Sequence, residues 1–343
     1  MAPGMPLRSL GRRLILGAVL VCTAGVGAAC TTTRTSPTTT PPPPTPTSAP
    51  TATPGYSEIS RDRYLVVDGL DMAVDAYVPN SPGPWPVVVA FHGRSNEFKD
   101  AGSNTMIAEA AAATGSLVFT PTWIAGDPFP LDVGDIVALR HAASCAVAFS
   151  QEWADELGGD AADTVVYGFS AGAGPALAAM VAPVGNVPGC ETAQAPLPVS
   201  GAVLGDGEYF FQSQPFDDAF SQDPPAMQEE VARLVDHDRW PADLETRVYV
   251  WAAESGTAPR ALDDPAAPGW LAERDPDGAI RRDLDALGRL DDGIVDYVDA
   301  AHLIDLRLRE AGVGTELEIL PGGHIVDDKV ARLVVAIASV GAP

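Results

Sequence analysis

The chain has 343 residues, 46% of them hydrophobic and 20% charged, enough for one large globular domain or two small ones. Its 46 Asp and Glu against 21 Lys and Arg give a formal charge of −25; such a surface repels a phosphate backbone, excludes nucleic acid as a partner and argues against an electrostatic grip on anionic lipid. Four cysteines exclude a disulfide-dense mini-fold and a multi-cysteine zinc scaffold.

Residues 1–29 read as an export signal. Arg8, Arg12 and Arg13 form the positive start, Leu14 to Val21 the apolar core, and small residues from Gly25 to Ala29 lead to Cys30. The apolar stretch is too short for a comfortable membrane span. Gly27-Ala28-Ala29-Cys30 resembles a bacterial lipobox, which implies lipid on Cys30 after cleavage; a plain signal cut near Ala29 is the alternative. Arg12-Arg13 before Leu14-Ile15-Leu16 is similar to a twin-arginine signal. Residues 30–55 form a linker, because positions 31–54 hold 11 Thr and 8 Pro and offer nothing to bury. Membrane contact is expected through the lipid anchor only, with the protein exported to the outer face of the cell membrane or secreted. Export implies an oxidising compartment, so Cys145 and Cys190 are candidates for a disulfide.

The folded domain is expected over 56–343. Tyr64–Val67 and Met72–Val78 read as strands joined by a turn at Asp68-Gly69. Pro86–Phe91 is a continuous apolar run, the pattern of a strand buried on both faces. A helix is expected over Ile107–Ala113, a strand over Ser116–Thr120, and a long helix over Asp132–Leu157, where Ile136, Leu139, Ala143 and Val147 recur at helical spacing. Then come a strand at Thr164–Tyr167, a helix at Gly172–Val181, a strand at Val199–Leu204, a helix within Ala226–Val235 and a strand at Arg247–Ala253. Residues 255–291 break the rhythm with Asp, Pro, Ala and Arg and one amphipathic stretch at Ile280–Leu290; they read as an insertion that could cover the site as a lid, with Trp270 and Leu271 as an apolar patch. A helix around Ile294–Leu308 stopped by Gly312, a strand at Thr315–Leu320 and a closing helix at Ile325–Val340 complete the chain. Such alternation implies an α/β fold with a mostly parallel sheet of about eight strands and helices on both faces. Ligands then bind beyond the carboxyl ends of the strands.

Gly168-Phe169-Ser170-Ala171-Gly172 follows an expected strand and opens an expected helix. A serine there sits on a tight turn that only very small residues can flank, and its hydroxyl is lifted toward the cleft beside a helix start that favours negative charge. Ser170 is therefore the candidate nucleophile. No Lys stands three places after it, so a serine–lysine pairing is not supported.

With this motif in place, residues 60–343 resemble the α/β-hydrolase family. Phe91-His92-Gly93-Arg94 ends the third expected strand, where that family keeps an oxyanion loop. The resemblance implies that the amides of Arg94 and Ala171 face the substrate oxyanion, with Gly93 lining the same loop; His92 reads as a buttress of that loop. Among the five histidines, His141 and His302 lie within expected helices and His237 in a solvated stretch. His324 follows the last strand in Leu320-Pro321-Gly322-Gly323-His324 and matches the family's catalytic base.

The acid that orients this base is expected after the strand ending at Ala253, but Gly256 stands where the family usually has Asp. Two carboxylates remain open. Asp292, in Asp292-Gly293-Ile294-Val295-Asp296-Tyr297, is preferred for its resemblance to the family's entry to the next helix; Glu254, directly after the strand, is the alternative. No metal-binding, flavin or nucleotide motif appears, so no cofactor is expected. The expected activity is hydrolysis of a small-molecule or lipid ester. An acyltransferase or peptidase would use the same residues, and an inert fold serving as a surface binding protein would explain the glycine at 256. The sequence does not fix an oligomeric state.

Overall fold

Eight of the chain's apolar runs pair into one sheet in a computed structural model that describes residues 55–341 apart from 68, 94–101, 124–132, 208, 210–223, 242–243, 256–259, 262–277 and 290–293. The elements in order are β1 (Tyr56–Val67), β2 (Leu70–Pro79), β3 (Trp85–Phe91), α1 (Gly102–Ala113), β4 (Leu117–Pro121), α2 (Val133–Leu157), β5 (Gly159–Phe169), α3 (Ala173–Val181), β6 (Gly201–Gly205), α4 (Pro225–Val235), β7 (Arg247–Ala253), β8 (Arg260–Ala261), α5 (Ala279–Ala286), β9 (Ile294–Val295), α6 (Tyr297–Glu310), β10 (Gly314–Leu320) and α7 (Val330–Gly341). The sheet order is β1-β2-β4-β3-β5-β6-β7-β10. β1, β2 and β4 pair antiparallel, and every pairing from β4 onward is parallel. β8 and β9 form a separate two-stranded ribbon.

Strand alternation divides the core into two layers. Val87, Val89 and Phe91 of β3 and Val248, Val250 and Ala252 of β7 point into the layer that holds α2, α3 and α6. Val88 and Ala90, with Tyr249, Trp251 and Ala253, point into the layer that holds α1 and α7. Both faces of the central strands are buried, which is why they read as unbroken apolar runs. Each fully buried Val or Leu there contributes roughly 1.5–3 kcal/mol.

Several boundaries differ from the sequence expectation: α1 starts at Gly102, not Ile107, and Ile294–Val295, expected to open a helix, pair as β9 with Arg260–Ala261, so that α6 starts at Tyr297. β1 starts at Tyr56, because the polar stretch Tyr56–Arg61 pairs residue by residue with Val74–Pro79 of β2. β5 starts at Gly159 and carries a register shift against β3 between Pro86 and Val87. The closing helix starts at Val330, not Ile325. Buried Lys329 folds back so that its Nζ donates to the carbonyls of Gly323 (3.1 Å) and Ile325 (3.0 Å), and this holds residues 321–329 as a loop.

Cys145 of α2 and Cys190 are disulfide-bonded, with Cα atoms 5.8 Å apart. The Cys190 segment also joins β1 by main-chain bonds, Val66 N–H to Gly189 (3.1 Å) and Glu191 N–H to Tyr64 (2.8 Å). Closing a loop of 45 residues' separation restricts the unfolded chain by about 4 kcal/mol on the chain-entropy account. Residues 1–54, Cys30 among them, lie outside the described residues, as do Trp270 and Leu271 of the expected lid. The amphipathic part of that insertion is helix α5, and its Ile280 and Leu284 are buried in the core. No helix among the described residues is long and apolar enough to cross a membrane.

Candidate active site

The carboxyl ends of β5, β6 and β10 bring three side chains into line. Ser170 begins a 3-10 turn, Ser170–Gly172, between β5 and α3, with a left-handed φ of 55°. The flanking glycines are steric requirements. A Cβ on Gly168 would lie 2.3 Å from the Gly172 carbonyl oxygen, and one on Gly172 would lie 2.2 Å from the Phe91 carbonyl oxygen. The turn thus packs against the end of β3, and the two glycines are what let it close.

His324 stands on the loop after β10. Its Nε2 lies 3.0 Å from Ser170 Oγ and its Nδ1 lies 3.1 Å from Asp206 Oδ2. The imidazole is part-exposed, at 29%, whereas Asp206 is fully buried. Asp206 directly follows β6. Its N–H donates to the Trp251 carbonyl (3.0 Å), and its Oδ1 accepts the Ala253 N–H (2.6 Å). One carboxylate oxygen is therefore held by the end of β7 and the other faces the imidazole. A Ser–His–carboxylate chain of this kind can draw a proton from a serine hydroxyl and hold the resulting imidazolium.

This geometry brings to His324 a carboxylate other than the two expected. The carboxylate on His324 is Asp206, not Glu254. Glu254 is exposed, and its main chain continues the β7–β10 ladder through an N–H bond to the Leu320 carbonyl (2.8 Å). Asp292 lies outside the described residues. Sequence reasoning missed Asp206 by looking only beyond β7. A signal was present in Gly205-Asp206-Gly207, an acid between two glycines at the end of an apolar strand, and β6 lies beside β7 in the sheet.

The loop at the end of β3 borders the same point. The site a Cβ on Gly93 would occupy is 3.2 Å from Ser170 Cβ, so Gly93 leaves room directly over Ser170. Ala171 is buried beside Ser170, and its amide belongs to the first turn of the 3-10 segment, where N–H groups have no partner within the helix. Arg94 lies outside the described residues. His92 is buried, and burial pushes its imidazole below the usual histidine range. The neutral ring uses Nδ1–H to donate to the Gly93 carbonyl (2.7 Å), and its own carbonyl accepts from Trp123 Nε1 (2.9 Å). That is the role of a loop buttress. The remaining histidines are elsewhere: His141 meets Glu230, His237 meets Arg307 and Glu310, and His302 lies on α6. Among the described residues no cluster of His, Cys, Asp or Glu could hold a metal ion.

No family model matches the sequence, and no curated protein matches it either. Solved structures do. A thermophilic esterase of the planctomycete Thermogutta terrifontis, esterase 2 bound to propionate, superposes over 83% of this chain and 93% of its own, with a TM-score of 0.51 and 17% identity. The butyrate-bound form of that protein covers 83% and 92%, with a TM-score of 0.50 and 17% identity. Its cyclosarin-phosphonylated form gives 83% and 92%, again with a TM-score of 0.50 and 17% identity. At this identity the likeness concerns architecture, and together with the strand order described above it gives this chain the α/β-hydrolase fold.

Proposed function

We propose that the protein is a serine hydrolase of carboxylic esters, acting through an acyl-enzyme on Ser170. The observation that carries this reading is the continuous line Ser170 Oγ–His324–Asp206, at 3.0 and 3.1 Å, on the carboxyl edge of the sheet. Nε2 of His324 takes the hydroxyl proton as Oγ attacks the ester carbonyl carbon, and the carbonyl electron pair moves onto oxygen. The Ala171 amide faces that developing charge; a donor of this type typically contributes ~3 kcal/mol to lowering the barrier. Collapse expels the alkoxide, which takes the proton back from the imidazolium and leaves as an alcohol. Water then attacks the acyl-enzyme with the same base, releasing the acid and restoring Ser170. Asp206 holds Nδ1 protonated and in plane throughout. The structural neighbour with propionate and butyrate bound is an esterase, which supports the substrate class, and Asp206 supplies the carboxylate whose absence at Gly256 favoured an inert fold.

A fluorophosphonate bearing a reporter group tests this reading. The native protein should be labelled, with the adduct on the Ser170 peptide by mass spectrometry, and heat-denatured protein should not. Native protein that stays unlabelled at saturating probe would reject the assignment.

For the N-terminus we read export, with lipid on Cys30. The disulfide between Cys145 and Cys190 supports an oxidising destination. Wild-type protein made in a bacterial host should partition into detergent, and Cys30→Ser should stay in the aqueous phase, because acyl chains bury methylenes at ~0.8 kcal/mol each. Equal partition of both forms would reduce Cys30 to a residue beside a cleavage site.

A further inference from the structure

We propose that Tyr297 is a positioning residue for the His324 base, acting through the face of its ring; this rests on the assignment of His324 made above. The Tyr297 ring lies on the imidazole with centroids 4.3 Å apart and planes within 5°. Phe169 stacks on the same imidazole at 4.7 Å and 30°. One face of a five-membered ring has room for one such neighbour, so the two rings take opposite faces. Phe169 stacks in turn on Trp251, at 5.7 Å and 4°, and Trp251 is fully buried in β7. His324 is thus gripped between a core-anchored aromatic pair and Tyr297.

The Tyr297 side of the grip is also fixed. Tyr297 is the first residue of α6 and is buried. Asp296 caps that helix by accepting the Asp299 N–H (2.9 Å), and Asp299 Oδ2 accepts the Asp296 N–H (3.2 Å). The Asp299 carboxylate is bound on its other oxygen by Arg289. A reciprocal cap of this type sets the direction in which the first turn presents its side chains.

His324 needs such a support. Its two hydrogen bonds, to Ser170 and Asp206, lie in the imidazole plane and resist rotation within it. They resist tilting out of the plane poorly, because neither bond lies above or below the ring. Two stacked faces block the tilt. They also place π electrons on the ring when it becomes an imidazolium, an attraction absent from the neutral ground state. The contribution of Tyr297 therefore grows between bound substrate and transition state and should show in kcat, not KM.

The experiment compares full-length Tyr297→Leu and Tyr297→Phe on one soluble ester, with circular dichroism as the folding check. Tyr297→Leu should lower kcat by about five- to thirtyfold, the rate equivalent of one lost cation–π face, with KM little changed. Tyr297→Phe should retain kcat. If Tyr297→Leu does not fold, Tyr297→Met takes its place in the comparison. In parallel, ring signals of carbon-13 histidine-labelled protein are recorded, with the His324 signal identified by its loss in His324→Gln. Stacked rings shield that signal, so Tyr297→Leu should move it downfield and Tyr297→Phe should not. Unchanged kcat in Tyr297→Leu, an equal loss in Tyr297→Phe, a change confined to KM or an unmoved His324 signal would each overturn the proposal. A wild type that shows the shielded signal but neither hydrolyses ester nor reacts with fluorophosphonate would overturn the hydrolase assignment and the role of Tyr297 with it, while leaving the stack in place.

Discussion

Asp206→Asn should lower kcat by about 10⁴-fold, the scale seen when an amide replaces the orienting acid of other triads. The amide can still accept the Ala253 N–H, so β6 and β7 stay joined and the protein should fold. It can also turn its NH₂ toward Nδ1 of His324, which then must be the unprotonated nitrogen, leaving Nε2 with the proton and no capacity to take one from Ser170. Glu254→Gln should change kcat by less than about twofold, as exposed substitutions usually do; Asp292→Asn should change it little, because the carboxylate that meets Nδ1 of His324 is Asp206. Steady-state kinetics of the three variants on one ester decide the matter. A large loss in either of the latter two, with Asp206→Asn near normal, would move the acid to the segment after β7.

Ser170→Ala should remove roughly 10⁶-fold of kcat, since the nucleophile and its base act as one unit. The residue at 170 keeps its left-handed backbone in the variant, so circular dichroism should match wild type. Turnover within tenfold of wild type, measured on protein freed of contaminating host esterase, would remove Ser170 from the reaction.

Much of this arrangement is legible in the sequence because it is enforced by short-range sterics. The elbow is readable since only glycine fits at 168 and 172, where any Cβ would strike main-chain oxygens. The central strands are readable because burial on both faces leaves no polar alternation in Pro86–Phe91 or Val248–Ala253. His324 is readable because it follows the last strand through two glycines. The carboxylate that meets His324 is not readable from chain order alone. Asp206 reaches His324 across 118 residues, and only the adjacency of β6 and β7, a property of the sheet, makes the end of either strand a suitable place for it. The start of β1 is not readable for a related reason: Tyr56–Arg61 has charged residues and no apolar face, and it is a strand because β2 offers it a partner. The start of α7 is not readable either, because the bonds of Lys329 to the loop carbonyls are specified by tertiary contact, not by helical propensity.

Ser170 and Asp206 share a backbone feature with a further consequence. Among the described residues only Ser170, Asn186 and Asp206 adopt positive φ without being glycine, at 55°, 56° and 40°. Conformations of this kind cost of order 1–3 kcal/mol each, and the two residues proposed to act on either side of His324 both carry that cost. Glycine at 170 would relieve the main chain while abolishing the hydroxyl, whereas glycine at 206 would also leave the buried Ala253 N–H without its Oδ1 acceptor, a loss of about the same size as the relief, roughly 1–3 kcal/mol. Thermal stability and turnover are therefore opposed at codon 170. A screen for heat resistance alone would favour glycine there, and a lineage released from selection for turnover would be free to drift the same way.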